Sequence, residues 1–130
     1  MRPGRAGAGD PAARRRAERR GRSAESLALW LLRLKGYRLI ARRARTPVGE
    51  IDLIVRRGRV LAAVEVKARA SLQEAAETLG VRQRRRVAQA FDYWLALQPD
   101  LARLDRRFDL VLVAPGRPPR HLPDAWRPDA

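Results

Sequence analysis

Glu50, Asp52, Glu65 and Lys67 sit within two apolar segments, residues 50–55 and 60–67, that read as paired strands. Side chains alternate faces along a strand. Ile51, Leu53 and Val55 point one way, as do Val60, Ala62, Val64 and Val66. Both sets reach one core face only if opposed residues pair odd with even, because a one-residue slip exposes one set. A tight turn at Arg57-Gly58 then places Leu53 opposite Ala62, Ile51 opposite Val64 and Glu50 opposite Glu65. Asp52 and Lys67 lie one step along on that face. Opposed residues have Cβ atoms about 5 Å apart and diagonal ones about 7 Å, so three carboxylates and one ammonium converge. Like charges across a ladder repel. A divalent cation relieves this, and Mg²⁺ takes oxygen ligands from one or two carboxylates, water and phosphate. Lys67 could orient or help deprotonate an attacking water, or hold a phosphate. The plainer alternative is a solvated strand in which Lys67 forms a salt bridge.

The charge balance points to the partner. The chain has 130 residues and a net charge of +15, a field that attracts polyanions, nucleic acid first among them. Of 29 basic residues only Lys35 and Lys67 are lysines, so Lys67 runs against the local habit of the sequence. Arg82, Arg84, Arg85 and Arg86 crowd the start of a predicted helix, where the dipole favours anions. A phosphate bound there would satisfy both the arginines and the free amides. Arg42, Arg43 and Arg45 extend a basic track along a strand, and such contacts predict salt-dependent, sequence-indifferent binding. Trp30 and Trp94 read as core residues.

The elements that position these groups follow from apolar periodicity. Ser23 reads as the N-cap of a helix with Leu27, Trp30, Leu31 and Leu34 on its stripe, Leu29 and Leu32 widening the apolar surface so that the helix is expected to be largely buried, and Gly36 beyond its end. Strands are predicted over 37–45, 50–55, 60–67 and 108–114, and a second long helix over 81–97. Residues 71–79 read as irregular or weakly helical. Residues 1–22 read as a disordered basic arm in which Ala12–Arg20 could be helical, 23–114 as one mixed α/β domain, and 115–130 as a Pro-rich, mostly irregular segment. The absence of cysteine excludes disulfides, thiolate metal sites and cysteine nucleophiles. A lone His121 argues against a His-rich metal site or a Ser-His-Asp triad and reads as an exposed histidine. Asp109, at the head of an apolar strand, reads as structural. No apolar run reaches the roughly 18 residues of a membrane span, and no signal peptide is evident, so a cytoplasmic location is expected.

Gly49-Glu50-Ile51-Asp52-Leu53-Ile54 followed by Val64-Glu65-Val66-Lys67-Ala68-Arg69 resembles the bacterial YraN-like family, also called UPF0102. The resemblance spans 21–126 and includes Ala24-Glu25, Gly36-Tyr37, Arg107-Phe108-Asp109-Leu110-Val111, His121-Leu122 and Ala125-Trp126. That family is similar to the restriction-endonuclease-like PD-(D/E)xK superfamily, and to archaeal Holliday-junction resolvases. The resemblance implies a three-layer α/β fold with a mixed central sheet and a nuclease site dependent on Mg²⁺ or Mn²⁺. Asp52 matches the superfamily aspartate, Glu65-Val66-Lys67 its E-x-K, and Glu25 the acidic residue of the first helix; all three carboxylates are expected to hold metal, with Glu50 behind them. Gln83 stands where many family members carry lysine. The expected activity is hydrolysis of structured or branched DNA. The alternatives are a non-catalytic module binding DNA or RNA, or an assembly factor whose basic surface binds RNA or an acidic protein. By analogy with junction resolvases the chain is expected to form a homodimer.

Overall fold

A computed structural model describes residues 10–128. Helix α1 spans Pro11–Leu34, so the helical option for 12–20 holds, but the helix runs on through Ser23 instead of starting there; residues 1–9 of the expected arm lie outside the described residues. Asp10 supplies the cap, accepting from the Ala13 N–H at 3.1 Å, and Pro11 occupies the first turn. The Ala- and Arg-rich segment between favours helix by propensity alone. Gly21 is the weak point, and a Cβ added there meets nothing within 4 Å. Gly21→Ala is therefore expected to stabilise the helix by about 0.5–1 kcal/mol. Thermal melting followed at the helical signal checks this.

Strands β1 (Arg38–Thr46), β2 (Gly49–Arg57) and β3 (Val60–Ala68) form an antiparallel meander. Helices α2 (Leu72–Thr78) and α3 (Val81–Ala96) then cross over to β4 (Asp105–Val113), which runs parallel to β3. The short strand β5 (Arg120–Leu122) closes the order β1-β2-β3-β4-β5, antiparallel to β4. Segment 71–79 is thus helical. The Ser71 hydroxyl caps it by accepting from Glu74 N–H at 3.1 Å, and the Glu74 carboxylate accepts from Ala70 N–H.

The mixed sheet carries helices on both faces, the three-layer arrangement expected. Leu53, Val55, Ala62, Val64 and Val111 pack with Ala28, Leu29 and Leu32 of α1. Ile54, Leu61, Ala63 and Phe108 pack with Val87, Ala90, Phe91 and Leu95 of α3. The stripe of α1 that meets the sheet is Ala24, Ala28, Leu29 and Leu32. Leu27, Trp30 and Leu34 face solvent, and Trp30 is 61% exposed rather than core. Both stripes have helical spacing; the small alanines let α1 approach the sheet closely, and periodicity alone does not choose between them. Trp94 is half-buried against the α3 core, its ring 6.4 Å from that of Phe91.

The C-terminal segment is better ordered than a Pro-rich tail predicts. Trp126 is buried and stacks on Phe108 with ring centroids 4.3 Å apart. His121 is not an exposed histidine: its side chain is 1% exposed and its Nε2 lies 2.8 Å from Asp109 Oδ2. Lys35 Nζ donates to Nδ1, which assigns the proton to Nε2. Asp109 is fully buried and also accepts from Arg107 through both carboxylate oxygens and from Asp124 N–H. The structural role expected for Asp109 is therefore that of a clasp joining β4 to the closing segment.

Candidate functional site

The β2–β3 hairpin closes through Gly58-Arg59, with Arg57 paired to Val60. Gly58 has φ +61° while Arg59 does not, as a type II′ turn requires. A loop one residue later than Arg57-Gly58 shifts the register by two. Leu53 faces Val64 and Val55 faces Ala62, so the predicted parity holds but the predicted partners do not. The pairing ends at Leu53 with Val64; carried one step further, this register would set Asp52 rather than Glu50 opposite Glu65.

The pairing is distorted where the site begins. Ile51 packs with the α3 cluster and Leu53 with the α1 cluster, although they are two residues apart. Regular alternation therefore breaks at Asp52. On β1, Arg43 between the paired residues Arg42 and Ala44 adopts φ +50°, a left-handed conformation unusual for a non-glycine residue. Such strain is held in place by surrounding contacts. Arg43 Nε donates to Glu25 Oε1 at 2.9 Å, tying α1 to β1 at this point.

A cavity of about 460 Å³ opens where β2 begins and β3 ends. Glu25, Glu50, Asp52, Glu65, Lys67 and Gln83 line it. Asp52, half-buried, accepts from Val66 N–H through Oδ2 at 2.8 Å. Glu65 is 3% exposed; its Oε1 accepts from Gln83 Nε2 at 3.4 Å and its Oε2 is buried without a hydrogen-bond partner. Glu50 lies at the rim in an ion pair with Arg45, 3.0 Å. The cavity is thus lined by Glu25, Glu50, Asp52, Glu65 and Lys67, the side chains singled out in the sequence. The difference lies in Glu25, whose carboxylate is engaged by Arg43, and in Gln83, which proves to be the partner of Glu65. Among the described residues, no group of three or more His, Asp or Glu side chains is drawn together closely enough to hold a metal ion.

The electrostatics reflect this placement. Burial, opposed by the Val66 hydrogen bond and reinforced by the charge of Glu25, raises the Asp52 carboxyl to about 6. Burial, reinforced by the charge of Asp52, raises Glu65 to about 8, with Lys67 and Gln83 acting in the opposite direction. A carboxyl whose folded-state pKa lies above its unfolded value opposes folding once it must ionise. For Glu65 that cost is absent below about pH 4.5, grows as pH rises and is complete above about pH 8. Glu65→Gln, measured in EDTA, is expected to stabilise the protein by on the order of 2 kcal/mol at pH 9 and to change little at pH 4. Melting curves of both proteins across that range check the sign.

The basic residues divide into groups. Arg43 serves the site ion pair, Arg42 is exposed with Nη2 3.2 Å from Ser26 Oγ, and Arg45 holds Glu50. Arg82, Arg85 and Arg86 line one shallow depression at the start of α3, and Arg84 is half-buried beside them in sequence. No helix among the described residues is long and apolar enough to cross a membrane.

The comparisons with known proteins converge. Residues 24–113 match the model of a family described as uncharacterised protein family UPF0102. The chain is 59% identical over 120 residues to a UPF0102 protein of Parvibaculum lavamentivorans, covering 92% of this chain and 90% of the relative. It is 58% identical over 118 residues to one of Methylorubrum extorquens, covering 90% and 92%. With one of Maricaulis maris it shares 54% over 116 residues, covering 89% and 91%. The matched span contains every residue that lines the carboxylate cavity except Gly21, and on this evidence the chain belongs to the UPF0102 family.

Proposed function

We propose that the protein is a divalent-metal-dependent endonuclease that hydrolyses phosphodiester bonds in structured or branched DNA. The observation that carries this reading is the pair Asp52, half-buried, and Glu65, buried in the same cavity with its Oε2 unpartnered and Lys67 alongside. A stable fold gains nothing from a buried carboxylate set beside a second one that repels it. Their hard oxygen donors fit Mg²⁺ or Mn²⁺, which commonly takes only one or two protein carboxylates. Asp52 and Glu65 would hold the ion, and Glu25, held by Arg43, would contribute charge from the side. When bound, the metal supplies positive charge for the phosphate and makes water more acidic. The chain supplies the rest. Val66 N–H fixes Asp52, Gln83 orients Glu65, and Lys67 offers an ammonium to the phosphate oxygens and the attacking water. Exposed arginines at the head of α3 and along β1 would hold the flanking phosphates.

The test is cleavage of duplex, single-stranded, flap and four-way DNA with Mg²⁺ or Mn²⁺, with Asp52→Ala as the inactive control. Millimolar metal is also expected to raise the melting temperature of the wild type and not of Asp52→Ala. That no three-ligand cluster is gathered among the described residues favours a second reading, a non-catalytic nucleic-acid-binding module that keeps the nuclease fold. Tight DNA binding with no cleavage on any substrate and no metal-dependent shift would establish it.

A further inference from the structure

A cavity of about 890 Å³, larger than the carboxylate cavity and within the range of ligand sites, adjoins it. It shares Ala24, Ala68 and Arg69 with the carboxylate cavity, so the two form one continuous depression. Its floor is apolar, built from Leu27 of α1 and from Val113 and Ala114 at the end of β4. Its charged lining is entirely cationic: Arg16 and Arg19 of α1, Arg69 after β3, and Arg117.

The side of α1 that lines this cavity as far as Leu27 continues beyond it as a stripe. Arg16, Arg19, Ser23, Leu27, Trp30 and Leu34 follow one another at steps of three or four residues, so they form a single stripe along the helix. This stripe is basic at its N-terminal half and apolar beyond. Leu27, Trp30 and Leu34 are 44, 61 and 66% exposed, far more than packing on the sheet would leave. Cations that track phosphates, beside an exposed aromatic on which bases stack, are the chemistry that binds unpaired nucleic acid strands. A paired duplex keeps its bases inside and gains nothing from the apolar floor.

We propose that this depression seats an unpaired DNA strand and leads it to the carboxylate site. Bases lie on Leu27 within the depression and on Trp30, the next residue of the stripe beyond its edge, and phosphates meet Arg16, Arg19, Arg69 and Arg117. The inference rests on the endonuclease reading and narrows its substrate to DNA in which an unpaired segment adjoins the cleaved bond. The charge complementarity decides against a second copy of the chain, since another copy would bring the same arginines to the same place.

The test uses the full chain in EDTA, so that binding is read without cleavage. The probes are single-stranded oligo(dT) of roughly 12 nucleotides, within the span of known single-strand sites, and a blunt duplex of about the same length. Oligo(dT) is expected to quench tryptophan emission, and Trp30→Ala to remove most of that quench. Trp30→Ala should weaken oligo(dT) binding about tenfold while duplex binding stays within about twofold. Arg117→Ala should lower the salt slope for oligo(dT) by about one. Both positions are exposed, and melting curves verify that the variants fold. Equal losses on both probes, or duplex binding without any quench by oligo(dT), would overturn this inference and leave the endonuclease reading standing. So would a wild-type dimer in sedimentation that Trp30→Ala dissociates, because a second copy would then cover the stripe. A wild type that binds neither probe would sink both readings.

Discussion

Lys67→Arg is expected to lower single-turnover DNA cleavage by about a thousandfold while equilibrium binding stays within a few fold of wild type. The substitution keeps the positive charge, in a chain that uses arginine at nearly every other basic position. It changes the size of the head group, its hydration and its ability to approach one oxygen atom as a point charge. Lys67 lines the cavity of Asp52 and Glu65, and its charge opposes the upward shift of both carboxyls. A residue that only balanced charge there would be replaced by arginine at little cost. A residue that places water and phosphate would not, because that interaction strengthens in the transition state and barely affects ground-state binding. Lys67→Ala should lose cleavage to a similar degree and bind slightly less tightly. Rates within twofold for all three proteins would remove Lys67 from the chemistry.

Asp109→Ala is expected to cost about 3–5 kcal/mol, the penalty for stranding the buried partners of an ion pair. Arg107 would lose both of its contacts to the carboxylate, His121 its acceptor, and the Asp124 N–H its partner. The closing segment would loosen with them, including the stacking of Trp126 on Phe108. At this chain length that loss corresponds to a fall of about 10 °C or more in melting temperature. Urea denaturation followed by tryptophan emission measures it. The pH dependence supplies an independent readout. Burial alone would raise the Asp109 carboxyl, but the hydrogen bonds from His121, Arg107 and Asp124 outweigh it and hold it at about 2. The ordinary value is 3.8, so the folded-state pKa is depressed. Its stabilisation, about 2 kcal/mol, is complete above about pH 4 and is lost as pH falls toward 2. Asp109→Asn should be less stable than wild type at neutral pH, with the gap narrowing across that acid window. A constant gap would mean that the carboxylate charge is not what the clasp uses.

These two residues mark how far the sequence alone reaches. Strand parity, with its period of two, holds along β3 and put Glu65 and Lys67 on one face; on β2 it fails at Asp52, because Ile51 packs toward α3 and not with Leu53 and Val55 as alternation predicts. The helix over α3, the strands and the mixed α/β class follow from the same periodicities. The offset of the hairpin was not legible, since it depends on whether Arg57-Gly58 or Gly58-Arg59 makes the turn, and only the folded twist selects the latter. Glu25 could be assigned by resemblance, but its capture by Arg43 depends on a left-handed residue in β1 that no local propensity favours. The face of α1 was misread for a related reason. Two apolar stripes of equal helical spacing compete, and the sheet admits the one built on Ala24 and Ala28 because small side chains bring helix and sheet closest. His121 and Asp109 lie 12 positions apart in sequence and are joined only because β5 folds back along β4. Periodicity thus determined which residues share a face, whereas the pairing of distant charges was decided by close packing, which has no counterpart in local sequence.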